Sequence, residues 1–223
     1  MTRFFLWIIL AGIIFATGCK KDTVSVSDRK IILNSPPDDH YTNEDTLIFW
    51  WGMAEGIDEY RFQLVSPSFS NISFLMADTV VSRDKVRWHL PEGRYEWRVR
   101  GERGSDHTEY SRRSLTVDRT APSLPSLVSP ADQDTTWADS LLLQWSSADN
   151  TAGWTDSVLV YSEDPDSLPL APWHRAVVSG TYYNLSANAS LDSTGMRYYW
   201  RIISRDRAGN RSASFTRWFF YRK

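Results

Sequence analysis

Apolar and polar residues alternate with a period of two along most of the chain. In the run Gly93–Arg100, every second side chain from Tyr95 to Val99 is apolar, and the residues between them are charged. Successive side chains of a β-strand point to opposite faces, so this run predicts a half-buried strand. Similar short runs recur between clusters of Gly, Pro, Asn and Asp, and no helix-length apolar stripe follows Phe15. The pattern predicts an all-β fold of antiparallel strands.

A strand of this kind occurs twice, about a hundred residues apart. Residues 94–99 (RYEWRV) match residues 197–202 (RYYWRI) without a gap, at an offset of 103. The same offset pairs two apolar residues of the following strand with aromatic ones, Leu115 with Trp218 and Val117 with Phe220. An internal repeat explains these matches.

The repeat extends upstream, where Leu47–Trp50 pairs with Leu142–Trp145 at an offset of 95. The larger downstream offset predicts an insertion within the second copy. We therefore predict a first domain at residues 30–118, a second at 126–223, and a short, stiff linker containing proline at 119–125.

Seven short strands in each copy suit an antiparallel β-sandwich of two sheets. A tryptophan on the second strand (Trp50, Trp145), a corner in which Pro91 precedes Tyr95, and a Tyr-x-Trp-x-aliphatic sixth strand resemble fibronectin type III and related Ig-like domains. The resemblance implies that the Tyr95 hydroxyl closes the turn into the sixth strand, with Tyr198 as its counterpart. It specifies two tandem β-sandwiches and leaves the function open.

The second copy carries the sequence Asp206-Arg207-Ala208-Gly209-Asn210 between its last two strands. It resembles a hairpin that is frequent in bacterial secreted domains of this type. Gly and Asn tolerate positive φ, so we predict a tight turn here. A calcium loop is the alternative, although only Asp206 supplies a full negative charge and calcium takes six or more oxygen ligands.

The first nineteen residues have the layout of a signal peptide, with Arg3, an apolar run from Phe4 to Phe15, and small residues before Cys19. As a helix the run would span about 18 Å, which is short against a hydrocarbon core of about 30 Å. The segment resembles the lipobox of bacterial lipoproteins, which implies removal of residues 1–18 and a lipid on Cys19. Ordinary secretion with a free thiol and an uncleaved anchor are the alternatives.

A lipidated Cys19 would anchor the protein without a transmembrane helix, because several acyl chains together hold a protein at a bilayer. In Gram-negative lipoproteins an Asp directly after this cysteine favours the inner membrane. Position 20 is Lys, so the resemblance implies the outer membrane. Residues 19–29 are predicted to be the lipidated residue and a polar tether.

Composition and charge exclude several function classes. The net charge of -2 gives no electrostatic basis for binding nucleic acid. A single cysteine excludes an intramolecular disulfide and a Cys-rich zinc site. The four histidines lie apart, and the sequence has no nucleophile elbow and no glycine-rich phosphate loop. We therefore predict no catalytic residues, no metal and no cofactor.

The chain has 11 tryptophans, and eight of them fall into two groups. Those on apolar faces of predicted strands are expected in the core: Trp50, Trp88, Trp97, Trp145 and Trp200. Trp137, Trp154 and Trp173 instead lie among Asp, Thr, Gly and Pro in predicted loops of the second domain. They either close the end of the sandwich or form an exposed platform for a glycan.

Arginines form a further pattern, and we expect them on one outward sheet face of each copy: Arg98, Arg100, Arg112 and Arg113, then Arg201, Arg205, Arg207 and Arg217. The ordinary interpretation is cross-strand pairing with Glu96 or Glu109 and stacking on aromatic rings. The alternative is an anionic partner such as lipopolysaccharide or an acidic glycan.

The tripeptide Asp-Ser/Thr-apolar occurs six times, beginning at Asp22, Asp45, Asp78, Asp139, Asp156 and Asp166. It is similar to an acceptor motif for O-glycosylation in some Gram-negative bacteria. A turn that leads into a strand explains it equally well, since Asp ends turns and Ser or Thr opens strands.

Together these observations favour a non-catalytic outer-membrane lipoprotein. We expect it to dock on a protein partner in the cell envelope as a binding or spacer module. The alternative is a carbohydrate-binding accessory lipoprotein that uses Trp137, Trp154 and Trp173.

Overall fold

The computed structural model describes residues 25–137, 141–147, 153–167, 170–189, 191 and 195–222. Within these residues the predicted all-β fold is confirmed, and helix is limited to the four-residue turn α1 (Leu185–Asn188). No helix in the described ranges has the length and apolarity needed to cross a membrane.

The first half of the chain forms two sheets, ordered β1-β3-β6 and β2-β9-β7-β4-β5, with β8 paired to β7. The pairings are antiparallel apart from β2 with β9, which is parallel. The strands are β1 (Leu33–Ser35), β2 (His40–Thr42), β3 (Thr46–Trp51), β4 (Glu59–Ser68), β5 (Asn71–Val81), β6 (Lys85–His89), β7 (Gly93–Arg103), β8 (Asp106–His107) and β9 (Ser111–Val117).

The second half repeats this arrangement, with sheets ordered β10-β12-β15 and β11-β18-β16-β13-β14, and with β17 paired to β16. Here β11 runs parallel to β18, as β2 does to β9. The strands are β10 (Ser126–Ser129), β11 (Asp134–Trp137), β12 (Leu142–Ser146), β13 (Thr155–Tyr161), β14 (His174–Val178), β15 (Tyr182–Asn184), β16 (Met196–Arg205), β17 (Arg211–Ala213) and β18 (Arg217–Arg222).

Each sandwich has its own aromatic core between its two sheets. In the first core, the Phe49 and Trp97 rings meet edge to face with centroids 5.1 Å apart. In the second, Tyr198 stacks on Phe219 at 5.9 Å. Burying one such side chain stabilises the fold by about 1.5–3 kcal/mol, so each half has the packing of an independent domain.

The predicted upstream repeat is wrong by one residue. Trp50 is 46% exposed, whereas Trp51 is fully buried. Leu33 pairs with Trp51 in the first domain as Leu127 pairs with Trp145 in the second. The equivalent core tryptophans are therefore Trp51 and Trp145, at an offset of 94, and Trp50 belongs to the outward face of β3.

The downstream offset is also wrong by one residue. Tyr95 pairs with Leu115 across β7 and β9, and Tyr198 pairs with Phe219 across β16 and β18. One extra residue between β16 and β18 reverses the two faces of the last strand, because side chains alternate. The equivalent core residues are Leu115 with Phe219 and Val117 with Tyr221, which leaves Trp218 and Phe220 on the outward face.

The predicted tyrosine corner is confirmed in the first domain. The Tyr95 hydroxyl donates a hydrogen bond of 2.8 Å to the Pro91 carbonyl oxygen. Burial raises the pKa of Tyr95 above its ordinary value, so the hydroxyl stays a donor.

The predicted tether is wrong for its last residues. Val26 is fully buried, and its amide donates to the Asp106 carboxylate at 2.8 Å. The Ser25 hydroxyl donates to the same carboxylate at 3.0 Å. This segment therefore packs on the first sandwich, and Cys19 lies outside the described residues.

Candidate functional site

A turn at 206–210 connects β16 to β17 and lies where the two sandwiches meet. The Asp206 carboxylate is buried and accepts hydrogen bonds from the amides of Gly209 and Asn210 at 2.7 and 2.8 Å. The Asn210 side chain donates to its other oxygen at 2.8 Å. Gly209 has a φ of 99°, which glycine adopts without steric cost. The predicted turn is confirmed, and N–H donors occupy the oxygens that a calcium ion would need.

Two side chains of this turn reach the first sandwich. Arg207 Nη2 lies 2.7 Å from Asp39 Oδ2, and its guanidinium carbon is 3.8 Å from the centroid of the Tyr41 ring. The hydrogen bond with Asp39 raises the pKa of Arg207. Asn210 Nδ2 donates to the Asp118 carbonyl oxygen at 2.8 Å. Arg207 was expected on a sheet face, but it lies in the turn and connects the two domains.

The structure does not bring the three predicted loop tryptophans together. Trp154 directly precedes β13, at the end of the sheet that carries the turn at 206–210. Trp173 precedes β14 at the other end, about 20 Å away along a seven-residue strand. Trp137 is also at that far end, but it lies on β11, at the opposite edge of the sheet from β14.

Each of these three rings has a different environment. Trp173 is 39% exposed, and its centroid lies 5.6 Å from that of the buried Tyr198, so it covers part of the end of the core. Trp154 is partly buried, and Trp137 is 62% exposed. The three-ring sugar platform considered from the sequence is therefore not formed.

Trp137 shares the outward sheet face with two aromatic residues of β18, Trp218 and Phe220. Thr135 pairs with Phe220, so Trp137, two residues further along β11, lies on the same face. The Trp218 and Phe220 rings are 5.1 Å apart at 87°, and the Arg197 guanidinium carbon lies 4.2 Å from the Trp218 centroid. Perpendicular rings do not form a flat stacking surface.

In the first domain, outward arginines are neutralised within the sheet. Arg61 Nε is 2.7 Å from Asp78 Oδ1, and Arg100 Nη2 is 2.6 Å from Glu102 Oε1. The hydrogen bond from Arg61 holds the pKa of Asp78 below its ordinary value. Arg61 therefore pairs across strands with Asp78, whereas Arg100 pairs with Glu102 along its own strand β7. The predicted partners Glu96 and Glu109 are not the ones used by these two arginines.

Arg98 is held differently, on aromatic rings. Its guanidinium carbon lies 4.0 Å from the Phe69 centroid and 4.1 Å from the Tyr110 centroid, and its Nε donates to Gln63 at 2.7 Å. The expected stacking of arginine on aromatic rings is confirmed here. Arg112, directly opposite Arg98 on β9, is exposed.

Two arginines predicted to face outward lie on the inward face. Arg113 is opposite the buried Trp97, and its Nη1 donates to the Pro36 carbonyl oxygen at 2.7 Å. Arg217, opposite a core tryptophan of the second domain, lies 3.5 Å from the Pro130 carbonyl oxygen. Because Arg112 and Arg113 are adjacent, they cannot share a face. The inward arginine connects the two sheets in each domain.

One of the Asp-Ser/Thr-apolar tripeptides is part of the second core. The Asp156 carboxylate is fully buried and accepts hydrogen bonds from Trp145 Nε1 at 2.5 Å, from Ser147 Oγ at 2.7 Å and from Ser204 Oγ. This aspartate is therefore inaccessible in the folded protein, whereas the acceptor hydroxyl of such a tripeptide would be that of Ser157, which is partly buried. Ser167, by contrast, is exposed. The tripeptides at 22–24, 139–141 and 166–168 lie wholly or partly outside the described residues.

The described residues contain no group of three or more His, Cys, Asp or Glu side chains that could hold a metal ion. Among the described histidines, His174 lies beside a tyrosine, with its Nε2 atom 2.9 Å from the Tyr183 hydroxyl oxygen. Burial lowers the pKa of His174. This pair closes the core between β14 and β15.

No protein-family model matches the chain, and no curated protein sequence matches it. Solved structures do match. The fibronectin(III)-like modules of CbhA from Clostridium thermocellum superpose with a TM-score of 0.53 at 10% identity, over 86% of this chain and 94% of that chain. The FN1–FN3 domains of chicken CNTN1 give 0.55 at 13% identity, over 86% and 67%. At these identities the likeness establishes the fold, which is two tandem fibronectin III-like sandwiches.

Proposed function

We propose that the protein is a non-catalytic spacer and docking module, anchored by a lipid on Cys19 to the outer membrane of a Gram-negative cell. The observation that carries the proposal is the junction, defined as Arg207 and Asn210 with their contacts to Asp39, Tyr41 and Asp118. A flexible pair of domains needs no such contacts. A module that holds a binding surface at a fixed distance from a membrane does need them.

The contacts of the junction oppose rotation about the linker. Arg207 reaches the segment around β2 of the first sandwich, whereas Asn210 reaches the residue that follows β9. The Ser212 hydroxyl adds a bond of 3.0 Å to the Ser123 carbonyl oxygen within the linker. Because these points are on different segments, a rotation that preserves one contact breaks another.

The position of Val26 supports a short distance between the membrane and the first sandwich. Val26 is fully buried in the first domain, and Ser25 lies six residue steps after Cys19 along the chain. A fully extended chain of six residues reaches about 20 Å. An anchored molecule would therefore keep its first sandwich close to the headgroups and extend its second sandwich away from them.

The distance between spin labels at Ser70→Cys and Ser179→Cys tests the rigidity of the junction. We expect a narrow distance distribution in the parent protein and a broad one after Arg207→Ala with Asn210→Ala. Arg87→Gln, an exposed arginine of the first domain, is the matched control and should leave the distribution narrow. A broad distribution in the parent would overturn the spacer proposal.

Anchoring and docking are tested separately in cells. Fatty-acid labelling should be lost in Cys19→Ser, and labelled protein should fractionate with the outer membrane. Chemical cross-linking of intact cells should capture one dominant envelope protein, and a flexible Gly-Ser insertion after Pro122 should reduce its yield while labelling is unchanged. Unchanged labelling in Cys19→Ser would overturn the anchor, and an unchanged cross-linking yield would overturn the spacer role.

A further inference from the structure

We propose that a groove on the outward face of the second sandwich binds an acidic polysaccharide through Arg175, Arg205 and Arg211. The groove encloses about 260 Å³ and is open to solvent. Its floor is formed by Thr155, Ser157 and Leu159, which are alternate residues of β13. Val158, between Ser157 and Leu159, is buried on the other face of the strand. This site is separate from the junction and goes beyond the spacer function.

The strand register places the three arginines at the two ends of the groove. Arg205 lies opposite Thr155 on one side and opposite Arg211 on the other. Arg175 lies opposite Leu159, four residues along the sheet from that row. Two strand spacings and four residues separate Arg175 from Arg205, which is about 16 Å between Cα atoms.

The row between the two ends is neutral. It consists of Ser157 flanked by Val177 on β14 and Ile203 on β16. Pro172 forms part of the wall. A chain that fits this groove therefore meets cations at both ends and a mixture of hydroxyl and aliphatic surface between them.

Arg205 and Arg211 form a cross-strand pair of like charges, which is unfavourable in the free protein. The first domain has two comparable pairs. In Arg61 opposite Arg100, each arginine has its own carboxylate. In Arg98 opposite Arg112, Arg98 is held on the rings of Phe69 and Tyr110. No residue that lines the groove is acidic. The unfavourable pairing is therefore left without internal compensation in the second domain.

The three guanidinium groups are free to take a ligand. Among the described residues, Arg175, Arg205 and Arg211 have no hydrogen bond, ion pair or aromatic ring contact through their side chains. A guanidinium presents a planar fork of donors that matches a carboxylate or sulfate in two parallel hydrogen bonds. The groove is therefore suited to a ligand that carries such groups at intervals.

An acidic polysaccharide fits these features better than a peptide or a small anion does. A peptide commonly adds to a free strand edge, but β13 and β16 are internal strands with neighbours on both sides. A single small anion would use only the Arg205–Arg211 end and leave Arg175 without a role. Sugar hydroxyls and C–H faces suit the mixed floor around Ser157, and separated acidic groups suit the two basic ends.

Isothermal titration calorimetry on the full chain in an uncharged detergent tests the proposal. The probes are a galacturonic acid hexamer, a sulfated hexasaccharide, uncharged maltohexaose, hexaglutamate and inorganic phosphate. We expect binding of one or both acidic hexamers, weakened by salt because the attraction is between charges, and no binding of maltohexaose. Arg205→Gln with Arg211→Gln should weaken binding about tenfold or more, and Arg175→Gln alone should also weaken it.

The matched control is Arg87→Gln with Arg94→Gln, which removes two exposed charges from the first domain. Its affinity should stay within about twofold of the parent. An equal loss in the control would show unspecific attraction and overturn the site. The proposal would also be overturned if neither acidic hexamer binds, or if hexaglutamate binds as tightly as the acidic hexamers do. The same holds if phosphate binds as tightly as the acidic hexamers and its affinity does not depend on Arg175. Thermal melts of each variant verify folding, and the spin-label distances remain those of the parent if only this proposal fails.

Discussion

Replacing Asp156 by Ala is expected to destabilise the second sandwich and leave the first unchanged. The carboxylate is fully buried and accepts hydrogen bonds from the Trp145 indole and from the hydroxyls of Ser147 and Ser204. No Lys or Arg among the described residues forms an ion pair with it. Its stabilisation by the fold therefore comes from three neutral donors.

The largest cost arises at Trp145, whose indole N–H is left buried without an acceptor. Such a donor costs about 1–3 kcal/mol, and a hydrogen bond to a charged group contributes about 1.5–3 kcal/mol. The hydroxyls of Ser147 and Ser204 are 3.5 Å apart, so they can rotate towards each other and recover part of the loss. We expect the free energy of unfolding to fall by about 3 kcal/mol. For a domain of this size, that lowers Tm by about 12–24 °C.

Differential scanning calorimetry measures this change with an internal reference, because the two domains have separate cores. Asp156→Asn keeps an oxygen for Trp145 and should cost about 1 kcal/mol. Glu163→Ala removes an exposed carboxylate of the same domain and is the control. A Tm for Asp156→Ala within about 4 °C of the parent, or an equal shift of both domains, would refute the reasoning.

Three further predictions concern single residues. Tyr95→Phe removes the hydroxyl bonded to Pro91 and should lower the stability of the first domain by about 1 kcal/mol in urea, and an unchanged midpoint would contradict this. Arg211→Gln removes the like charge opposite Arg205 and should raise the stability of the second domain by about 0.2–1 kcal/mol at low salt, so a thermal melt showing a loss would count against it. Burial lowers the pKa of His174 from 6.5, so on acidification the unfolded chain binds the proton before the folded protein does. The stability of the second domain should therefore fall as the pH drops from about 6.5 towards the lowered pKa, and it should level off below that pKa. Melts of His174→Gln should lack this pH dependence.

The sequence was sufficient for features that depend on neighbouring residues. Period-two alternation predicted the strands, and the Gly209 turn and the Tyr95 corner follow from local turn chemistry. The same local reasoning failed where a one-residue shift reverses a strand. Trp50 and Trp51 are adjacent, and the alignment of the two repeats assigned Trp50 to the core. In the structure Trp51, which pairs with Leu33, is the core tryptophan.

The burial and hydrogen-bond partners of polar residues could not be predicted from the sequence, for a related reason. Asp156 occupies the position that Tyr60 holds in the first domain, since Asp156 pairs with Ser204 and Tyr60 pairs with Gly101. Tyr60 also uses a polar group there, and its hydroxyl accepts a hydrogen bond of 2.8 Å from the Ala54 amide. The alternation of polar and apolar residues predicts the face on which a residue lies. It does not predict which hydrogen-bond donors surround a polar residue on the inward face. The sequence analysis therefore grouped Asp156 with the other Asp-Ser/Thr-apolar tripeptides.

The groove and the junction depend on the same turn in different ways. Arg207 and Asn210 lie within the turn and contact the first sandwich, whereas Arg205 and Arg211 flank it and face the groove. A predicted hairpin at 206–210 is enough to place Arg205 opposite Arg211, but Arg175 joins them only through the β13–β14 pairing, which no local signal predicts. One residue inserted after Asn210 would move Arg211 to the other face of its strand, because side chains alternate. The contacts of Arg207 and Asn210 precede that point, and only the Ser212 bond to the linker follows it. Such a variant should therefore lose polysaccharide binding while its interdomain distance stays narrow.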